Sequence, residues 1–147
     1  MLREPSAKND EISPLEKLGL NQNAAVLVVG MGKTGYSVAR FLAKQGIHFA
    51  ITDSREAPPF LSEFTQEFPE VAIFLGGFKP EAFAAATHLI VSPGVSLNEP
   101  AIVEAVYRAV QVFGDLDVFA CMAQAPIVAV TGANGKSTVT TLVGLMA

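Results

Sequence analysis

From Ala24 onward one grammar repeats: a short β-branched run, a glycine or proline turn, a helix, then another short run. Ala24 to Val29 is apolar without interruption and stops at Gly30, the signature of a buried strand. Val38, Phe41 and Leu42 then fall at helical spacing, predicting a helix from about Thr34 to Gln45 that Gly46 terminates. Strands are expected at Phe49–Thr52, Val71–Leu75, Leu89–Val91, Val112–Phe113 and Ile127–Val130. Between them, helices are expected at Pro58–Phe68, Pro80–Ala86 and Pro100–Val110, and across Leu116–Met122 with Asp115 as its cap; another starts near Lys136. Strands alternating with helices predict an α/β chain built on a Rossmann-like, doubly wound parallel sheet. Only 16% of residues are charged, against about 25% in ordinary domains, which suits strands covered on both faces.

The same reading divides the chain into three parts. Residues 1–23 are a polar lead-in, mostly mobile, with a short helix around Leu15–Leu18. Residues 24–113 form a self-contained α/β unit. Pro126 and the change of motif near Gly114 mark residues 114–147 as the opening strand, loop and helix of a further unit. The apolar runs Ile127–Val130 and Val139–Met146 have no partner strands in this sequence. They are expected to dock on the first unit, pair with a second copy or fray, with pairing or fraying favoured.

Two strand-to-helix corners carry the chemistry. Gly30-Met31-Gly32-Lys33-Thr34-Gly35 matches G-x-G-x-x-G directly after the first strand. In that pattern Gly30 permits the tight turn, Gly32 lets a phosphate approach the backbone, and Gly35 lets helix and sheet pack closely. The helix start presents free N–H groups and a positive dipole end to an anion. Asp53, closing the second strand, is placed to accept hydrogen bonds from a nucleotide's sugar or base. The plainer alternative is a close turn without a ligand. For Lys33 two readings stand: an anion relieves its conflict with the helix dipole, or the side chain extends into water. This corner is not a P-loop, because Leu27 stands where a glycine would be needed.

The second corner is Thr131-Gly132-Ala133-Asn134-Gly135-Lys136-Ser137-Thr138. Its order places loop N–H groups around a phosphate chain, the Lys136 ammonium at the β/γ oxygens and the Ser137 hydroxyl on Mg²⁺. Val130 occupies the first glycine position of the general pattern, so the strict match fails. The candidate ATP-binding set is Gly132, Ala133, Asn134, Gly135, Lys136, Ser137 and Thr138.

Composition excludes several classes. A net charge of −4 disfavours nucleic-acid or anionic-membrane partners. Cys121 is the only cysteine, which rules out an internal disulfide or thiolate zinc cluster. No stretch reaches the roughly 18 apolar residues of a membrane span, and a reduced, cytoplasmic location is expected.

Thr-Gly-x-Asn-Gly-Lys-Ser-Thr after Ala125-Pro126-Ile127-Val128-Ala129-Val130 resembles the ATP loop of the Mur ligase family. Gly30-x-Gly32-x-Thr34-Gly35-x-Ser37, Asp53-Ser54-Arg55, Ser92-Pro93-Gly94 and Gly114-Asp115 follow the family's order, so the resemblance covers residues 24–147. Asn134, Ser137 and the continuation Val139–Gly144 are most similar to the member that adds D-glutamate to UDP-N-acetylmuramoyl-L-alanine. The resemblance implies an ATP- and Mg²⁺-dependent amide ligase of peptidoglycan precursor synthesis, acting through an acyl phosphate. It implies that Gly32, Lys33 and Thr34 meet the UDP diphosphate. Asp53, Ser54 and Arg55 would meet uracil and nearby groups, and Ser92, Pro93 and Gly94 the turn beside the nucleotide. The residues after Lys136 include no Asp, Glu, His or further Lys. The family's later metal-binding acid, its other catalytic groups and its D-glutamate site are therefore expected elsewhere, and these 147 residues alone are expected not to turn over ATP. The alternatives are a nicotinamide- or FAD-binding module, a nucleotide sensor without chemistry, or another ligase of the family such as the murein-peptide recycling enzyme.

Overall fold

The computed structural model describes residues 12–146. Five parallel strands form one sheet: β1 (Val26–Val29), β2 (Phe49–Thr52), β3 (Ile73–Phe74), β4 (His88–Val91) and β5 (Gln111–Gly114), in the order β3-β2-β1-β4-β5. The helices are α1 (Pro14–Lys17), α2 (Lys33–Lys44), α3 (Leu61–Glu67), α4 (Pro80–Ala84), α5 (Pro100–Tyr107), α6 (Asp115–Met122) and α7 (Lys136–Met146). The expected Rossmann-like α/β sheet is present.

Alternation along β1 divides the core in two. Val26 and Val28 join Leu42, Ile51, Phe64 and Val118 on the face covered by α2, α3 and α6. Leu27 and Val29 join Phe83, Leu89, Ile102 and Ala105 under α4 and α5. Every residue of β1 and β4 is buried, as a sheet covered on both faces requires. Gly46, at φ +69°, ends α2, and its N–H and that of Ile47 return to Ala43 and Leu42.

Several boundaries move for local reasons. Helix α3 begins at Leu61 instead of Pro58, because Ala57 and Pro58 each precede a proline and are held out of the α region. Strand β3 shrinks to an edge strand of 2 residues. Asp115 is the first residue of α6 and not its cap; Gly114 takes that position, its N–H bound to the Asp117 carboxylate at 2.7 Å.

The lead-in departs further from expectation. Residues 1–11 lie outside the described part of the chain. The next stretch is anchored: Leu15 and Leu20 are 6% and 1% exposed. A reciprocal cap closes α1, with Ser13 Oγ accepting from Glu16 N–H at 3.2 Å and Glu16 Oε2 from Ser13 N–H at 2.8 Å. Two leucines with a core to enter outweigh the polar residues between them.

His88 fastens this anchor to β4. Its ring stacks on Phe113 with centroids 6.2 Å apart, and a Cβ on Gly19 would lie 2.7 Å from its Nε2. Burial pushes the imidazole pKa down, and a hydrogen bond to the Leu18 backbone opposes this only in part. The folded protein therefore binds fewer protons than the unfolded chain just below the unperturbed value of about 6.5. The stabilisation is complete above that value and is lost as pH falls through the lowered folded pKa. Urea unfolding at a series of pH values should show stability declining below about pH 6.5, and His88→Gln should flatten that slope. An unchanged slope in the variant would place the pH dependence on another group.

Candidate functional site

In an open parallel sheet a ligand crevice opens where neighbouring strands send their connections to opposite faces. Here that point lies between β1 and β4, at their carboxyl ends. Gly30, Asp53 and Ser92 follow directly on β1, β2 and β4. Gly30 adopts φ +103°, and a Cβ there would stand 3.0 Å from the Ser92 Cβ, so only glycine turns the chain at this corner.

Both neighbouring strands pin the loop after Gly30. Gly30 N–H donates to the Thr52 carbonyl at 2.7 Å. Met31 N–H donates to Asp53 Oδ2 at 2.7 Å, and the Ser92 hydroxyl donates to the Gly30 carbonyl at 3.3 Å. Asp53 is 2% exposed, and both its oxygens are engaged. Arg55 supplies its backbone N–H at 2.9 Å and its Nε at 2.8 Å to Oδ1, and its Nη2 at 2.8 Å to Oδ2. Burial works to raise this carboxyl's pKa, but the hydrogen bonds from Arg55 and Met31 and the guanidinium charge prevail and hold it below the usual range.

Helix α2 starts at the mouth of the crevice. Its N-cap, Gly32, offers no side-chain acceptor, and its first turn holds no acid. The first intrahelical bond runs from Tyr36 N–H to the Gly32 carbonyl at 3.0 Å, so the N–H groups of residues 33–35 precede the ladder. A Cβ on Gly32 would meet nothing within 4 Å, whereas one on Gly35 would overlap the Gly30 carbonyl oxygen. The first glycine leaves open space in front of the helix; the second lets helix and strand touch.

A cleft of about 330 Å³ opens here, lined by Gly32, Lys33, Thr34, Asp53, Ser54, Arg55, Ser92, Pro93 and Gly94. All nine residues expected to meet the UDP substrate are thus brought together. Phe78 and Val95 also line it and were missed. Their signal was position: Phe78 follows the Gly76-Gly77 turn after β3, and Val95 the Pro93-Gly94 turn after β4. A larger hollow of about 610 Å³ runs between α2 and α6, floored by Val38, Phe41, Leu116, Phe119 and Met122. Its lining is mainly apolar and less suited to an anion, although it shares Lys33 and Thr34 with the cleft.

The second corner is formed in part. Gly132 at φ +153° and Gly135 at φ +76° shape a loop that enters α7 at Lys136. The expected strand at 127–130 does not form. Ile127 and Val128 are 53% and 67% exposed, because no described strand runs beside them to complete a ladder. Helix α7 buries none of its residues, so the expected alternative of docking on the first unit is not seen. Among the described residues, no group of three or more His, Cys, Asp or Glu could hold a metal ion.

The architecture is that of a Rossmann-like α/β domain with a glycine loop at its switch point. Residues 24–114 match the Mur ligase MurD-like N-terminal domain, and the chain belongs to that family. It is 57% identical over 131 residues to a UDP-N-acetylmuramoylalanine–D-glutamate ligase of Methylococcus capsulatus, covering 89% of this chain and 28% of that protein. A ligase of the same name from Pseudomonas aeruginosa is 50% identical over 121 residues, covering 82% of this chain and 27% of the relative. The chain thus spans little more than a quarter of these relatives. The structure of a pseudomurein peptide ligase type C from Methanothermus fervidus shares the fold with a TM-score of 0.56 at 22% identity, covering 83% of this chain and 25% of that one.

Proposed function

We propose that the cleft at residues 30–35, 53–55 and 92–95 holds the UDP portion of UDP-N-acetylmuramoyl-L-alanine, within a protein that joins D-glutamate to it using ATP. The observation that carries this reading is the uncapped start of α2 facing a cleft that gathers nine expected contact residues. The N–H groups of Lys33 and Thr34 would receive the diphosphate, with Gly32 giving it room. Asp53 would act by holding the loop and Arg55 in place, since its oxygens are already engaged. Ser54 and the outer face of Arg55 would meet the uracil end, with Phe78 and Val95 as apolar walls. The family match favours a UDP-sugar over the nicotinamide or FAD alternative.

Residues 24–113 would be the substrate-binding unit and 114–147 the opening of the ATP-binding unit. The loop fits a phosphate chain: two positive-φ glycines precede an 11-residue helix, and among the described residues the side chains of Lys136 and Ser137 make no hydrogen bond. Gly132 to Gly135 would wrap the phosphates, Lys136 would balance their charge, and Ser137 and Thr138 would offer hydroxyls, with Ser137 toward Mg²⁺. ATP bound there would supply the phosphoryl group that activates the substrate carboxylate. D-glutamate is assigned no residue here. No helix among the described residues is long and apolar enough to cross a membrane, and a cytoplasmic location is proposed.

Thermal unfolding with and without ligand tests the cleft. At a hundred times its Kd, UDP-N-acetylmuramoyl-L-alanine should add about 2.7 kcal/mol of stability, and NADH none. Stabilisation by NADH without any by the UDP sugar would overturn the proposal.

A further inference from the structure

We infer that the Lys33 ammonium, in addition to its backbone N–H, pairs with the ligand's diphosphate and makes Lys33 a specificity-determining residue for doubly phosphorylated nucleotides. The inference rests on the reading of the cleft as a UDP-sugar site. Three charged residues line that cleft: Lys33, Asp53 and Arg55. Asp53 is fully engaged by Arg55 and the Met31 N–H. Lys33 therefore leaves one unmatched positive charge in the cleft, on a chain whose net charge is −4.

Lys33 is the first residue of α2, at the positive end of the helix dipole. The first turn contains no acid to offset it. The ion pairs among the described residues are Arg40–Glu67 and Arg55–Asp53; neither involves Lys33. Lys33 lines both the cleft and the α2–α6 hollow and is exposed, so its flexible stem is free to turn toward a ligand in the cleft. Gly32 beside it presents open space and does not obstruct a phosphate. An arriving diphosphate accepts from the helix N–H groups and from the ammonium together, each contact charge-assisted.

Titration calorimetry of the chain with UDP, at low and high salt, tests this against Lys33→Met and Lys33→Arg. Lys33→Met should weaken UDP binding roughly tenfold, the scale of one charge-assisted contact, and should flatten the salt dependence. Lys33→Arg should keep the salt dependence and most of the affinity. Equal affinity in Lys33→Met overturns the inference and leaves the cleft assignment standing. Weaker binding with an unchanged salt slope also overturns it, because that pattern belongs to a disturbed loop. Failure of the unaltered chain to bind UDP at all removes the cleft assignment and this inference together.

Discussion

Gly35→Ala should destabilise the protein by about 3 kcal/mol or more, lowering the melting temperature by on the order of 10 °C. The added Cβ would overlap the Gly30 carbonyl oxygen and lie 3.0 Å from the carbonyl carbon. Neither atom belongs to a flexible side chain. The Gly30 carbonyl is held by the Ser92 hydroxyl, and the Gly30 N–H by the Thr52 carbonyl at 2.7 Å, so the strand cannot move aside locally. Helix α2 would have to lift from β1, separating Val38, Ala39 and Leu42 from the core. Gly32→Ala makes the contrast, since its Cβ meets nothing and its φ of −93° suits any residue. That variant should unfold like the parent yet bind UDP more weakly, because the methyl group enters the open space proposed for the diphosphate. Urea denaturation of both variants beside UDP titration separates the two roles. A Gly35→Ala protein of parental stability would show that helix and strand are not in close contact.

The contrast between these glycines also shows what local pattern reveals. Spacing alone distinguished the glycine that turns, the one that clears space and the one that packs, because each has a backbone cause within six residues. The sheet was legible for a similar reason: fully buried strands such as Val26–Val29 leave no polar residue to blur them. Long-range partnership was harder to see. Ile127–Val130 has strand composition but no ladder, since pairing depends on a neighbour that no local pattern specifies. Leu15 and Leu20 stand among the polar residues of the lead-in, yet both are buried in the core cluster that Val118 of α6 completes. At the site, the gathering of the nine expected residues around one cleft was legible and their hydrogen bonds were not. Asp53 was expected to accept hydrogen bonds from a nucleotide; it lines the cleft with its carboxylate oriented to Arg55 and the Met31 N–H, which occupy both oxygens.

That orientation sets the second large effect. Asp53→Ala should cost about 3 kcal/mol, because it strips the acceptor from the Met31 N–H, whose residue is 0% exposed, and from the Arg55 side chain. Asp53→Asn should recover little: whichever way the amide turns, its NH₂ faces a donor, either Met31 N–H with Arg55 Nη2 or Arg55 N–H with Nε. Both variants weaken or remove the tie between residue 53 and the Met31 N–H, so UDP affinity should fall along with stability. The pH dependence carries an independent signature. The carboxyl is held below its unfolded value of about 3.9, so its contribution is complete above that pH and disappears as pH falls through the lower folded value. Acid unfolding of the parent should therefore include a component below about pH 4 that Asp53→Asn lacks. Circular dichroism along an acid titration, run beside UDP binding at neutral pH, measures both. An Asn variant with parental stability and affinity would mean that the loop is held by the Thr52 and Ser92 contacts alone, with the carboxylate incidental to it.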